Sequence, residues 1–540
     1  MTADRPTTWS RVGPGLLLVA AWTTVSLQAL AMATAHFQPG LDSDQIYPYL
    51  LAANVLDGGY PLSGWTLSSA PYFFPDFTLH TALVALVGRG GQSLSVYVAL
   101  YYTLLAVACG AWLRAATGRR AGWLAGAVLV GLLLATRDVA AHERFLWWMG
   151  SVGFHGGSML LGLFLSAWVL ARTDREWTNG ERAALGGLVL LGAGSDMLFL
   201  VHWVVPTLVA RWWAVRGSET GRAEAWRLTW LVAGAGAVWV AIRVICGAIG
   251  FLTFSNVFRY APWPGAITGA GISLLRDLTH VLMAQGFLLI GGGVVAVIAA
   301  VMLARRAGWG RFDTCAVLVL GATTAIPVLS CYWHNDHQAR YTLPWLVMPG
   351  LWLMATALRA APARRGIELG ATAMAVAAVA LGAATAWPRI DPVRWRWPTG
   401  DDFSALENYL AQRGLNDGYA DYWNVHRFNV VAQTPVRLHP LRPGGSVQFW
   451  NDNAFWHFQR GRDGKLHAVT AGFIVLDRLD PAALRARFGA PAETVVVAGH
   501  TVWIYDAAGR AQLNRGPQRE IFARVEKLLD AGDVARAGGE

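Results

Sequence analysis

The sequence predicts a polytopic α-helical membrane protein with a C-terminal α/β domain. Of its 540 residues, 54% are hydrophobic and only 14% are charged, which is typical of membrane proteins. Apolar stretches of membrane-crossing length recur as far as residue 387, and the later apolar runs shrink to strand length. We therefore expect a membrane domain, 1–387, and a soluble domain, 388–540.

About eleven apolar stretches approach the roughly 20 residues that a helix needs to cross a bilayer. The first is longer than the core of a signal peptide and is expected to remain as an uncleaved helix. Two short stretches meet at the GSD of 194–196, so a re-entrant pair is an alternative there. The stretches lie near 14–35, 93–113, 121–136, 154–171, 184–196, 197–213, 229–249, 281–304, 313–331, 342–359 and 366–387.

Charge in the loops predicts the orientation of these spans. Five Arg-rich loops alternate with loops that are poor in Arg, and cytoplasmic loops carry the excess of positive charge. The alternation places the N-terminus in the cytoplasm, and the first loop, 37–92, and the C-terminal domain outside. The Arg-rich loops are 113–122, 171–182, 210–227, 304–311 and 359–365.

Net charge and cysteine content exclude other classes of protein. The net charge of +10 is scattered through short loops rather than gathered on one soluble face, so nucleic acid is not expected as a partner. The four cysteines show no CxxC spacing. Neither a disulfide framework nor a zinc site is predicted.

The first loop is acidic, and GLDSDQIYPYL at 40–50 places Asp42 and Asp44 directly after the first span. No Lys or Arg occurs in 37–78. A carboxylate fixed just outside the bilayer in a partly dry cleft can take a proton from a hydroxyl or amide nucleophile. Two such acids can instead hold Mg²⁺ or Mn²⁺ through oxygen ligands. Solvated loop acids are the simpler alternative.

A second polar group lies in 137–158, where His142, Glu143 and His155 accompany several tryptophans. His155 begins an apolar span, and a polar side chain at that depth usually faces a cavity. An interfacial aromatic belt with stray polar residues is the alternative. Asp196, at another helix end, is interpreted as a structural helix cap.

The densest polar cluster between spans is CYWHNDHQARYTLP at 331–344, with His334, His337 and Arg340. The HNDH stretch lacks the i, i+4 spacing of helical metal motifs, which disfavours a metal site. Arg340 is the only cation in this loop, and arginine donates paired hydrogen bonds to phosphate. We interpret it as a phosphate-binding residue.

The C-terminal domain combines strand-length runs at 468–477, 492–499 and 501–506 with helical patterns at 401–414 and 481–489. Its aromatic residues can stack on sugar rings, although packing in the core is favoured for them. Asp421 and Asn424 are alternatives for lining a glycan groove. The aromatic residues are Tyr419, Tyr422, Trp423, Trp450 and Trp456.

This arrangement resembles the GT-C superfamily of polyprenyl-phosphate-sugar-dependent glycosyltransferases, in particular bacterial aminoarabinose transferases and protein mannosyltransferases. The resemblance depends on GLDSDQIYPYL, on PYFFPDFTLHTALVALVG leading into the second span, on HNDHQARYTLP before a late span, and on the external C-terminal domain. No WWDYG motif is present, which argues against transfer of a whole glycan to asparagine. The first loop has FFPD where many aminoarabinose-transferase-like proteins have a His-Pro-Pro-Leu sequence.

The resemblance implies an enzyme of the bacterial inner membrane that takes a sugar from a polyprenyl-phosphate donor. By position, Asp42 or Asp44 would be the catalytic base, and Arg340 with His337 would hold the donor phosphate. From the polar clusters of the sequence itself, we also assign His334, His142, Glu143 and His155 to the substrate site. The acceptor, which can be a lipid, an envelope glycan or a protein, would attack the anomeric carbon with inversion.

Two other classes compete with this prediction. A transporter or flippase of lipid-linked glycans would place charges in the middle of spans and often show inverted repeats, and the sequence shows neither clearly. A non-catalytic envelope-assembly protein would tolerate Asn at both loop acids. The long acidic loop and the external domain favour an enzyme.

Overall fold

A computed structural model describes most of the chain. It covers residues 8–36, 43–58, 61–68, 70–88, 90–136, 146–248, 253–254, 287–329, 342–360, 382, 384, 401–460 and 465–526. Long apolar helices make up the N-terminal part, and a mixed α/β domain follows. The chain is thus a polytopic membrane protein with a C-terminal domain, as the sequence predicts.

Twelve labelled helices precede residue 361 in the described ranges. They are α1 Thr8–His36, α2 Ser43–Asp57, α3 Thr78–Val87, α4 Gly91–Thr117, α5 Gly122–Ala135, α6 Gly156–Ala171, α7 Asn179–Ser195, α8 Met197–Val215, α9 Glu219–Ala248, α10 Phe287–Ala307, α11 Arg311–Leu329 and α12 Pro344–Ala360.

Ten of the predicted spans coincide with helices of this part, and nearly all of the last, 366–387, lies outside the described residues. Four described segments are long and apolar enough to cross a membrane: Gly15–Thr34, Gly91–Thr117, Met197–Val215 and Glu219–Cys246. The total of about eleven spans, the orientation and the domain boundary at 387/388 remain predictions.

Small residues let α4 and α5 pack closely. A Cβ added to Gly126 of α5 would lie 2.3 Å from the backbone nitrogen of Gly110 of α4. Such backbone-to-backbone contact is typical of helix pairs in membranes, where small residues permit close packing. Leu105, Ala106 and Trp112 of α4 are fully buried in the same core.

The C-terminal domain is built on a five-stranded mixed sheet, whose strands in spatial order are β4 (Arg437–Leu441), β3 (Asp417–Asp421), β8 (Phe473–Val475), β10 (His500–Ile504) and β9 (Glu493–Val497). Strand β3 is parallel to β4 and β8, and β10 is antiparallel to β8 and β9. The helices of the domain are α13 Asp401–Gln412, α14 Tyr422–Val431, α15 Pro481–Phe488 and α16 Ala507–Val525.

Side chains alternate between two cores on the two faces of this sheet. Tyr419 and Ile474 enter one core, and Ala420 and Phe473 enter the other, because successive residues of a strand point to opposite faces. The predicted strands and helices of this domain are confirmed. The sequence did not predict β3 and α14, which together occupy 417–431.

A second, three-stranded sheet joins the two parts of the molecule. Strand β1, Trp65–Leu67, from the first loop pairs with β2, Thr253–Phe254, and with β5, Asp452–Asn453, of the C-terminal domain. Helix α14 also packs on α2. These contacts place Tyr422, His426 and Asn451 beside the start of α2. A short two-stranded sheet, β6 Phe458–Arg460 and β7 Leu466–Ala468, follows.

Candidate active site

Asp44 lies in the first turn of α2, and only 5% of its surface is exposed. The segment predicted as an open acidic loop is therefore helical from Ser43, and the alternative of a solvated acid is wrong for Asp44. A carboxylate in the first turn suits the positive end of the helix dipole. Asp42 lies outside the described residues.

Two side chains of the C-terminal domain hold the Asp44 carboxylate. The Tyr422 hydroxyl donates to Asp44 Oδ1 over 2.7 Å, and the Asn451 amide donates to the same oxygen over 3.2 Å. Asn451 Nδ2 also lies 3.1 Å from the Tyr422 hydroxyl. The three groups form a closed buried network, which compensates for the removal of the carboxylate from water.

Backbone contacts explain how Tyr422 comes to this place. Asp421 ends β3 and caps α14 by accepting from the backbone N–H of Trp423, so Tyr422 is the first residue of that helix. The Ser43 hydroxyl donates to the Tyr422 carbonyl. The start of α2 is thus bonded to the start of α14.

Asn451 is held by β1. Its backbone N–H donates to the Thr66 carbonyl over 2.7 Å, and its side-chain oxygen accepts from the N–H of Ser68 over 2.9 Å. Asn451 has a φ of 51°, in the left-handed region that asparagine tolerates better than most residues. With its Oδ1 bonded to Ser68, the Asn451 amide nitrogen is oriented toward Asp44.

A second buried cluster is centred on His155. His155 Nδ1 lies 2.7 Å from Asp196 Oδ2, and its Nε2 lies 3.2 Å from the Tyr72 hydroxyl. Ser158 donates to the same Asp196 oxygen. Because an ionised carboxylate only accepts, Nδ1 carries a proton, and in the neutral ring Nε2 accepts from Tyr72. The sequence predicts that His155 faces a cavity, whereas the structure shows it buried within this hydrogen-bonded cluster.

Asp196 has a second role in this cluster. Its Oδ1 accepts from the backbone N–H of Leu198 over 3.0 Å, which caps the start of α8. The predicted helix cap is therefore present, and the pairing with His155 is additional. One carboxylate thus fixes both the helix start and the tautomer of the histidine.

Strained backbone brings Tyr72 and His155 together. Their φ angles are 54° and 64°, the left-handed region that residues other than glycine rarely adopt. The Tyr72 N–H donates to the Ser195 carbonyl over 3.0 Å, which ties this segment to the end of α7. Strain of this kind concentrates at functional sites.

The two clusters are neighbours. A Cβ added to Gly153 would lie 3.4 Å from the Asp44 carbonyl oxygen and 3.6 Å from the Tyr72 ring. Gly153 thus lies between the backbone of the candidate base and the aromatic partner of His155. These distances are ordinary van der Waals contacts, and it is the φ of 87° that favours glycine at this position.

Asp76 is a further buried acid beside the His155 cluster. It accepts from the Tyr97 hydroxyl over 2.6 Å and lies at the N-terminus of α6, where Gly157 contacts it. Burial raises the pKa of Asp76 to about 7, the nearby Asp196 carboxylate adds to the rise, and the bonds from Tyr97 and Gly157 oppose it. With this pKa, the Asp76 carboxyl group titrates near neutral pH.

The structure describes two of the eight residues predicted for the site, Asp44 and His155, and places both in this region. The others lie outside the described residues: Asp42, His142, Glu143, His334, His337 and Arg340. Sequence reasoning missed the roles of Tyr72, Asp76, Tyr97 and Asn451, and treated Tyr422 only as an aromatic residue. The left-handed φ angles, and the contacts between residues that lie hundreds of positions apart, leave no signal in one sequence.

No group of three or more His, Cys, Asp or Glu side chains that could hold a metal ion occurs among the described residues. The predicted alternative, Mg²⁺ or Mn²⁺ between Asp42 and Asp44, includes a residue beyond those ranges. A divalent cation at the site therefore stays a prediction.

The chain shares its fold with a solved protein structure. The chain is similar to the crystal structure of ArnT from Cupriavidus metallidurans bound to undecaprenyl phosphate, with a TM-score of 0.50 and 15% sequence identity. The matched region covers 92% of this chain and 99% of the ArnT chain. This likeness shows a shared fold. No protein-family model and no curated protein matches the chain.

Proposed function

We propose that the protein is a membrane glycosyltransferase that moves a sugar from a polyprenyl-phosphate donor to an acceptor outside the cytoplasm. The observation that carries the proposal is the position of Asp44. In a chain that shares its fold with ArnT, this carboxylate begins the first helix after α1 and is buried and oriented by Tyr422 and Asn451.

The proposed reaction is a single inverting displacement. Asp44 takes the proton of the acceptor hydroxyl or amide, and the acceptor attacks the anomeric carbon of the sugar. The bond to the phosphate oxygen breaks, and polyprenyl phosphate leaves with the electron pair. A base in a water-poor, preorganised site contributes typically about 10²–10⁴-fold to such a step.

The other predicted residues complete the proposal. Arg340 and His337 hold the donor phosphate, because a guanidinium matches a phosphate group with paired hydrogen bonds. His334, His142 and Glu143 contact substrate, and His155 supports the site through Asp196 and Tyr72. ArnT is bound to undecaprenyl phosphate in its solved structure, which supports a lipid carrier of this class.

The same proposal includes the setting of the enzyme. The chain lies in the inner membrane of a bacterium with its N-terminus in the cytoplasm and residues 388–540 outside. The acceptor is a lipid, an envelope glycan or a protein. The Arg-rich loops, which alternate along the sequence, support this orientation.

The test is transfer of radiolabelled sugar from a panel of polyprenyl-phosphate sugars in membranes with matched protein levels. We expect Asp44→Asn to lower turnover by about 10²–10⁴-fold, since the amide cannot accept the proton. Arg340→Ala should also abolish turnover. Asp174→Asn is the matched control, because Asp174 is 80% exposed and pairs with Arg311.

Three outcomes contradict the proposal in different ways. Full turnover in Asp44→Asn together with loss in Asp42→Asn would move the base to Asp42. Full turnover in both Asp variants and in Arg340→Ala would show that these residues do not form the active site. Absence of turnover by the wild type with every donor would favour a flippase or an assembly protein. A parallel transfer assay with a metal chelator tests whether turnover requires a divalent cation.

A further inference from the structure

A cavity of about 400 Å³ lies between α2 and the C-terminal domain. Leu50, Ala53, Asn54 and Asp57 of α2 form one wall, and residues of α14, β4 and the turn after β5 form the other. Its volume lies within the range of small-molecule sites.

The cavity is separate from the candidate active site. Asp44 does not line it, and Leu50, the first residue of α2 that does, is six residues further along, which corresponds to about 9 Å at the rise of an α-helix. His426 connects the two regions, because its backbone N–H donates to the Ser43 hydroxyl and the residue lines the cavity.

His426 offers a hydrogen-bond acceptor in this wall. Its Nε2 lies 3.1 Å from the Asn451 carbonyl oxygen, which can only accept, so Nε2 carries the proton. The ring is 1% exposed, and its Nδ1 has no hydrogen-bond partner among the described residues. Burial lowers the pKa of His426 and keeps the ring neutral. Nδ1 is therefore an unprotonated nitrogen with the capacity to accept a hydrogen bond.

An aromatic side chain forms part of the same cavity. Trp456 is half-buried and meets Trp65 edge to face, with ring centroids 4.8 Å apart. Aromatic rings present a large rigid apolar surface with an indole N–H at one edge. Such a surface suits the C–H face of a sugar ring.

Charge in the cavity disfavours anions. Among the described residues, Asp57, Asp417 and Asp452 line it together with one arginine, Arg437. The Arg437 guanidinium donates to the carbonyls of Thr434 and Val436 over 2.9 Å and 2.7 Å. A ligand bearing phosphate or carboxylate would meet an excess of negative charge.

We propose that this cavity binds a saccharide that carries no phosphate or carboxylate, with Trp456 against the ring and with His426, Asn54 and Asp57 at its hydroxyl groups. The binding function goes beyond the proposed transfer reaction and does not depend on it. Because the cavity includes residues of α2, occupancy there couples the C-terminal domain to the helix that carries Asp44.

Saturation-transfer NMR on the full-length protein in lipid nanodiscs tests the proposal. The ligands are methyl glycosides of neutral hexoses and pentoses, an N-acetylhexosamine and a free amino sugar, with hexose phosphates and uronic acids as anionic counterparts. We expect saturation transfer to at least one uncharged or amino glycoside and none to its anionic counterpart.

Two tryptophan substitutions on α2 provide a matched pair. Ala53→Trp fills the cavity and should remove binding, whereas Val55→Trp adds the same bulk at a position that is 43% exposed and does not line the cavity. Asp57→Asn is a milder variant and should weaken binding about tenfold. Unfolding temperatures verify that each variant is folded.

The proposal is overturned if no glycoside receives saturation, if anionic sugars bind better, or if Ala53→Trp and Val55→Trp bind equally. If Ala53→Trp does not fold, wild-type affinity in Asp57→Asn overturns it instead. Binding is measured without turnover, so failure of the transfer assay and failure of this inference are distinguishable.

Discussion

At the scale of single residues, the environment of Asp44 depends on partners that lie far along the chain. Tyr422 and Asn451 follow it by 378 and 407 positions. A buried carboxylate requires hydrogen-bond donors, because its removal from water is costly and a buried charge without partners destabilises the folded state. The C-terminal domain is therefore part of the site.

We predict that Tyr422→Phe lowers the free energy of unfolding by about 1.5–3 kcal/mol, the value of a hydrogen bond to a charged group. Tyr419→Phe is the matched control. The Tyr419 hydroxyl is buried without a partner among the described residues, so its removal should be neutral or stabilising. Denaturant titration of the two variants in the same detergent gives the comparison, and equal losses would refute the role of Tyr422.

The sequence identified Asp44 and His155 by their depth at the ends of spans. It could not identify Tyr422 as a partner of Asp44, since a tyrosine at the start of a helix is equally compatible with packing in a hydrophobic core. Tyr419, a neighbour of the same residue type, does belong to the core. Only the fold distinguishes the two.

At the scale of elements, the length of the apolar stretches predicted the membrane helices well and the structure of the first loop poorly. Segment 43–57 contains Pro48 and an acid in its first turn, features that also suit a loop. Packing against α3 and α14 stabilises it as a helix, because tertiary burial outweighs local propensity. The strands of the C-terminal sheet were visible in advance because they are short apolar runs between turns.

The close pair α4 and α5 leads to a prediction about Gly126. Gly126→Ala places a methyl group 2.3 Å from the Gly110 backbone nitrogen, so the helices must separate, at a cost of about 1–3 kcal/mol. Gly187→Ala on α7 is the control, because nothing lies within 4 Å of that Cβ. It should be neutral or slightly stabilising. Thermal unfolding in detergent measures both, and an unfolding temperature for Gly126→Ala at or above that of Gly187→Ala would contradict the packing.

At the scale of the whole molecule, the orientation in the membrane can be measured by cysteine labelling in spheroplasts. Val496→Cys lies in the C-terminal domain, where Val496 is 69% exposed, and Arg120→Cys lies in an Arg-rich loop. We expect an impermeant maleimide to label the first in intact spheroplasts and the second only after lysis, following the positive-inside rule.

The unsubstituted protein gives the background in this experiment, since two of its cysteines, Cys109 and Cys315, are buried. Labelling of Arg120→Cys but not of Val496→Cys before lysis would reverse the proposed topology. Labelling of both positions before lysis would disprove the alternation of the loops.

The sequence by itself determined the class of the molecule, because membrane spans and strand-length runs are properties of local composition and periodicity. It also selected the pair Asp42 and Asp44, of which the structure describes Asp44, since acids next to a span are conspicuous. The tertiary structure alone decided what surrounds that acid. The sheet of β1 and β5 and the packing of α14 on α2 bring Tyr422, Asn451 and the polar cavity to one helix. Such contacts between distant segments depend on how surfaces fit together, which the order of residues in either segment does not encode.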